Sequence, residues 1–402
     1  MEGSGQSPNT EQKTAVDTAG KTAVGTERVK EKKRVVIRLR GSVDRPFLIL
    51  VILMVCLGSV MVFSASYPFA ANKYGEPLYF IIRQAVWAAI GFTVMIVVMQ
   101  FDYRVFQKLT IPFFAVSALL LIAVPIIGTT INGAKRWIYI GPLSVQPSEI
   151  MKLALVMLLA LYISVNESRM HVFRWGIMFP YAIIGGVCFI TIIERHMSGT
   201  IILFLIGTLI VFIGGASVKI LGAFAGIGGG IMGFVILFSS YARERVEFWI
   251  HPEKDPSDSG YQLLQSQYAI GSGGLLGTGL GNSRQKHLYL PESQNDFIFA
   301  VICEEFGLVG ALTVICLFAA LVWRGIRIAS RAPDTYSALL VYGIISKVAL
   351  QSIMNIAVVT GTMPVTGVSL PFFSYGGSSL IMLMFEMGMV LAVSRYSYQE
   401  KL

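Results

Sequence analysis

An all-α polytopic membrane bundle of about ten transmembrane helices, with one large extracellular loop, is the fold class predicted by the 402-residue sequence. Three observations predict it. Hydrophobic residues make up 54% of the chain and charged residues 14%, against roughly 25% charged in a soluble globule. With a mean hydropathy of +0.68, the chain lacks the charge to cover a water-facing surface. Its apolar residues fall in runs of the roughly 20 residues that cross a bilayer as helix. Its lysines and arginines crowd into alternate connecting segments. Disorder of the whole chain, a secreted disulfide scaffold and a soluble globule are excluded.

The first element, residues 1–45, reads as a disordered basic cytoplasmic tail. Residues 1–26 are rich in Gly, Ser and Thr and almost free of large apolar side chains, too few to bury a core. Ten Lys/Arg stand against six acids up to Arg45. The run Arg28–Arg45 abuts the first apolar segment, as a stop facing anionic lipid does, and no nucleic-acid partner is expected. That first segment is a retained anchor, since its charged lead is too long for a signal peptide and more spans follow.

The domain 46–402 then holds candidate spans at 47–65, 80–100, 109–128, 148–165, 175–193, 198–215, 219–238, 297–323, 335–359 and 378–394. Cys56, Cys188, Cys303 and Cys316 lie within apolar runs, without a CxxC pair, and read as buried free thiols. With the N terminus inside, 20 of the 32 Lys/Arg fall inside, nine outside, and Arg83, Lys152 and Lys347 within spans. By the positive-inside rule both termini are cytoplasmic, and the loops 129–147, 239–296 and 360–377 face outward.

The long loop 239–296 is expected to carry function. Within it Tyr261, Leu264 and Tyr268 have the spacing of one helical stripe. An ionisable group inside a span costs at least about 2.5–3.5 kcal/mol, so each needs a partner or a role. Lys347 is expected to pair with Glu304 or Glu386. Glu149 and Lys152, at i and i+3, share one helical face beneath a polar loop and read as a functional pair. Six glycines within 271–281 let backbone approach a ligand and offer amides to a phosphate. Arg284, Lys286, His287 and then Asp296 follow, just ahead of a span. An anion site beside a carboxylate at a membrane surface suits a phosphorylated lipid. In 361–379, Pro364 and Pro371 with four glycines forbid a continuous helix. The apolar residues between them point to a re-entrant segment.

The segments FSAS (63–66), NGAKRWI (132–138), QPSEIMKL (146–153), the Gly-rich stretch 260–307 and TGTMPVTGVSLPFFSYGGSS (360–379) occur in this order. In them the chain resembles the SEDS family of FtsW, RodA and SpoVE. The resemblance implies a bacterial cytoplasmic membrane protein that polymerises lipid II into peptidoglycan at the outer face, with a class B penicillin-binding protein and the divisome or elongasome as partners. It places the family's essential aspartate on Asp296, its RW-motif Trp on Trp137, and its Glu and Lys on Glu149 and Lys152. Asp296 is thus the expected catalytic base. Glu149, Lys152, Trp137, Arg136, Arg284, Lys286 and Ser379 are the expected substrate-binding residues. No nucleotide is needed, and a divalent cation, Mg or Mn, is the one cofactor left open. The family's Pro-acid pair after span five is replaced here by Arg195-His196, following Glu194. A lipid-linked precursor flippase is the rival reading.

Overall fold

The computed structural model describes residues 41–131, 134–140, 143–194, 196–217, scattered positions in 222–238, then 239–255 and 258–396. The helices are α1 (Arg45–Tyr74), α2 (Tyr79–Val98), α3 (Tyr103–Ile127), α4 (Pro147–Asn166), α5 (Phe179–Ile193), α6 (Met197–Ile213), α7 (Ser240–Ile250), α8 (Ser259–Gly273), α9 (Ile298–Ser330), α10 (Thr335–Val359) and α11 (Gly377–Ser394). Among the described residues, eight are long and apolar enough to cross a membrane, and α6 is apolar but shorter. The basic tail up to residue 40, Arg195 and most of the expected span 219–238 lie outside the described residues.

Local signals explain the boundaries. Asp44 caps α1, accepting a hydrogen bond from the Phe47 amide at 3.0 Å, and Gly75 closes it in the left-handed region. Along α1, Phe47, Val51, Met54, Val55, Met61 and Val62 are buried, while Ile49, Ile52, Leu53, Val60 and Phe63 are exposed. A helix apolar on both faces needs lipid on the outer one. At 30 residues α1 is about 45 Å long by helix rise, so it overshoots a hydrocarbon core of about 30 Å. The most deeply buried spans are α4, α10 and α11, which form the centre, with α2 and α3 at the edge.

The three loops expected to face outward carry structure in their described residues. An antiparallel meander is formed by β1 (Thr129–Ile131), β2 (Ala134–Ile140) and β3 (Leu143–Val145). Trp137 pairs with Thr129 and Ile138 with Val145. The helical stretch read at 261–268 is present as α8, but its buried face differs. Gly260, Leu263, Ser266, Ala269 and Gly273 are inside, and Tyr268 is exposed. Gly273 faces inward because it meets the α9 backbone, where a Cβ would lie 2.0 Å from the Cys303 carbonyl oxygen, and Gly260 because it meets the Pro252 carbonyl. The segment 360–376 has no regular structure, yet Val365, Val368, Leu370, Phe372 and Phe373 are buried in the bundle.

Candidate active site

In the Gly-rich stretch the amides of Gly277, Thr278 and Gly279 are spent on the chain's own carbonyls and not on a ligand. Gly307 takes a left-handed φ of 63° and kinks α9, freeing carbonyls that a straight helix would use. Thr278 N–H donates to the Glu304 carbonyl at 3.0 Å and Gly279 N–H to that of Glu305 at 2.9 Å. A Cβ at Gly277, where φ is 80°, would sit 2.1 Å from the Glu305 carbonyl oxygen. The glycines therefore serve a backbone-on-backbone junction. An anion cradle does exist further on, but its anion is internal. The Glu304 carboxylate accepts from Ser283 Oγ (2.5 Å), Arg284 N–H (2.8 Å) and Gln285 N–H (3.3 Å).

Lys286, expected at the substrate, is 1% exposed. Its Nζ lies 2.7 Å from Glu305 Oε1 and 3.1 Å from Ser64 Oγ, tying the loop to α1 and α9. Arg284 is exposed on the same loop. Lys347 pairs with Glu386 at 2.6 Å and with Glu149 at 3.6 Å, and not with Glu304, whose carboxylate is held by the loop. Lys152 pairs with Glu149 at 2.5 Å. Two lysines and two glutamates from α4, α10 and α11 thus form one network in the bundle, and Glu149 is its most exposed member at 15%.

Asp296 lies two residues before α9 and is half-buried. Its backbone is fixed from two sides. Asn355 Nδ2 on α10 donates to the Asp296 carbonyl and to that of Val368, each at 2.7 Å. Ser374 Oγ donates to the Asn295 carbonyl at 2.6 Å, and Tyr375 N–H to that of Gln294 at 2.9 Å. The segment 360–377 is itself held by α7, where Arg245 Nη1 donates to the Val365 carbonyl at 2.9 Å and Trp249 Nε1 to that of Gly361 at 2.8 Å. Gly367 stands so close to Asp296 that a Cβ there would lie 3.2 Å from Oδ2. No hydrogen bond from a described residue reaches the Asp296 carboxylate.

Burial pushes the Asp296 carboxyl up to about 7; the Glu292 charge adds to this, and Arg136 and Arg245 act against it. Burial likewise raises Glu194 to about 8, against Arg136. It lowers His196 to about 3, in the same direction as Arg136 and Lys152. Near neutral pH both groups are thus largely uncharged. Arg136, half-buried on β2, is the cation common to these three groups. Trp137 is its half-buried neighbour, and Ser379 lies half-buried in the first turn of α11. Arg245 and Asn355 were not singled out by the sequence. The signals available were one charged helix in the long loop 239–296 and one amide side chain in an apolar span.

Helices apolar all round, ion pairs between them and a polar crown around one shielded carboxylate define a polytopic membrane protein with an enzyme-like site at one end. The family model for cell cycle proteins FtsW, RodA and SpoVE matches residues 44–399. The chain belongs to this family. It is 42% identical to stage V sporulation protein E of Bacillus subtilis, covering 89% of this chain and 98% of that one. It is 36% identical to the probable peptidoglycan glycosyltransferase FtsW of Geobacter sulfurreducens, over 87% and 95%. Among solved structures it resembles a chain from a peptidoglycan synthase complex that coordinates polymerization and crosslinking (TM-score 0.74, 28% identity, 89% of this chain and 99% of that one). It also resembles the rod shape determining protein RodA of Thermus thermophilus (TM-score 0.67, 28% identity, 89% and 98%).

Proposed function

We propose that the chain is a peptidoglycan glycosyltransferase that joins lipid II units at the outer face of the bacterial cytoplasmic membrane, in cell division or a related wall process, with Asp296 as general base. One lipid-linked sugar offers its 4-hydroxyl, which attacks the anomeric carbon of a second. The bond to undecaprenyl pyrophosphate breaks, the centre inverts, and the hydroxyl proton passes to the Asp296 carboxylate. A base works best with a pKa near the operating pH, and burial has brought this one there. The observation that carries the reading is a carboxylate that receives no hydrogen bond from a described residue, framed by 361–376 and subject to the charges of Arg136 and Arg245.

Arg136, with the exposed Arg284, stabilises the charge on the departing pyrophosphate. Glu149, the most exposed member of the network, meets substrate, Lys152 holds its carboxylate in place from the buried side, and Trp137 and Ser379 flank the sugar. Lys286, held by Glu305, fixes the loop instead of meeting substrate. Among the described residues no three His, Cys, Asp or Glu side chains cluster to hold a metal; a Mg or Mn ion, were one to take part, would offset charge on the departing pyrophosphate. The partner is a class B transpeptidase, and both termini are cytoplasmic, as the inside excess of Lys/Arg supports. Purified protein given labelled lipid II in detergent, where transport has no meaning, tests the activity. Glycan chains are expected. Their absence, together with lipid II translocation in vesicles, would favour the flippase.

A further inference from the structure

We propose that the cavity between the start of α1 and the end of α9 binds the phosphate of an anionic glycerophospholipid. It encloses about 260 Å³ and is lined by Asp44, Arg45, Arg324, Arg327, Arg331 and Ser394, among others. Asp44 neutralises only Arg324, whose Nη2 lies 2.8 Å from Oδ2. The side chains of Arg45, Arg327 and Arg331 are exposed and make no hydrogen bond or ion pair with a described residue. Three guanidinium groups around one cavity, none opposed by a described acid, favour a phosphate, with which arginine makes paired hydrogen bonds.

The surroundings select a lipid. Trp323 is 55% exposed, with the Arg327 guanidinium 4.1 Å from its ring, and an exposed Trp at a span end marks headgroup depth. Arg45, Ile49, Ile52 and Leu53 follow helical spacing along one face of α1, and the three apolar members are exposed. On α9, Trp323 and the exposed Ile326 precede Arg327 and Arg331 in the same way. Each helix presents cations at its end and bare apolar surface behind them, which is the polarity of a phospholipid.

The full-length chain, purified in detergent and titrated with phosphatidylglycerol, is read by native mass spectrometry. Each arginine near a headgroup contributes about 1 kcal/mol. Arg327→Gln with Arg331→Gln therefore lowers affinity roughly thirtyfold, and either alone about fivefold. The same charge loss at Arg169 and Arg174, exposed elsewhere, changes it less than about threefold. Equal losses from both pairs would mean diffuse attraction and overturn the site. So would equal binding of phosphatidylcholine, or displacement of the lipid by millimolar inorganic phosphate, which would mark a site for free anions. If the double variant unfolds early, the single variants carry the same test.

Discussion

Lowering the pH from 8 to 6 is expected to cut kcat/KM for lipid II about tenfold. With the Asp296 carboxyl at about 7, the basic form is about 91% of the total at pH 8 and about 9% at pH 6. An aspartate at its ordinary value would leave activity flat across that range. Glu292→Gln removes a charge that raises the pKa, so it moves the midpoint to lower pH. Stability runs in the opposite direction. The fold holds this proton more tightly than the unfolded chain does, so the stabilisation is full below about 3.8 and is lost as pH rises through about 7. A rate gain toward pH 8 therefore does not reflect a firmer fold. The assay is initial-rate polymerisation of labelled lipid II from pH 5.5 to 8.5, with thermal midpoints at each pH. A flat profile, or an unmoved midpoint in Glu292→Gln, would refute the argument.

Two further outcomes follow from the packing. Lys286→Met strands the Glu305 carboxylate, which is fully buried, and such a break costs about 3–5 kcal/mol. The thermal midpoint in detergent drops sharply, whereas Lys286→Met with Glu305→Leu recovers most of it; an unchanged midpoint in the single variant contradicts the tie. Gly277→Ala forces a Cβ against the Glu305 carbonyl from a left-handed backbone, so the Thr278 and Gly279 amides exchange hydrogen faster and polymerisation falls. Unaltered protection there would show that the junction does not need glycine.

The spans were legible because a bilayer demands long apolar runs, and little else competes for that pattern. The choice of partners was not. Lys347 had two acids at similar depth, and only the fold shows that the loop amides claim Glu304 while Glu386 and Glu149 take the lysine. The Gly-rich stretch looked like a phosphate loop, and nothing local reveals that Gly307 frees carbonyls to receive its amides. The stripe on α8 was misplaced because large side chains usually mark the buried face, whereas Gly260 and Gly273 bury theirs by close backbone approach. Lys286 reads as a cation for substrate until its partner, 19 residues on, is seen. The position of Asp296 before a span was readable from sequence; the segment that frames it and the Arg245 and Asn355 contacts depend on contacts across 59 to 120 residues of chain.

Asp296→Asn keeps the size and position of the side chain and removes only the proton acceptor. Purified variant and wild type, matched in thermal midpoint and given labelled lipid II with and without the cognate transpeptidase, test the base assignment directly. Glycan synthesis by the variant is expected to fall about 100- to 10,000-fold, the usual contribution of general base catalysis. Undiminished chains from Asp296→Asn would contradict it.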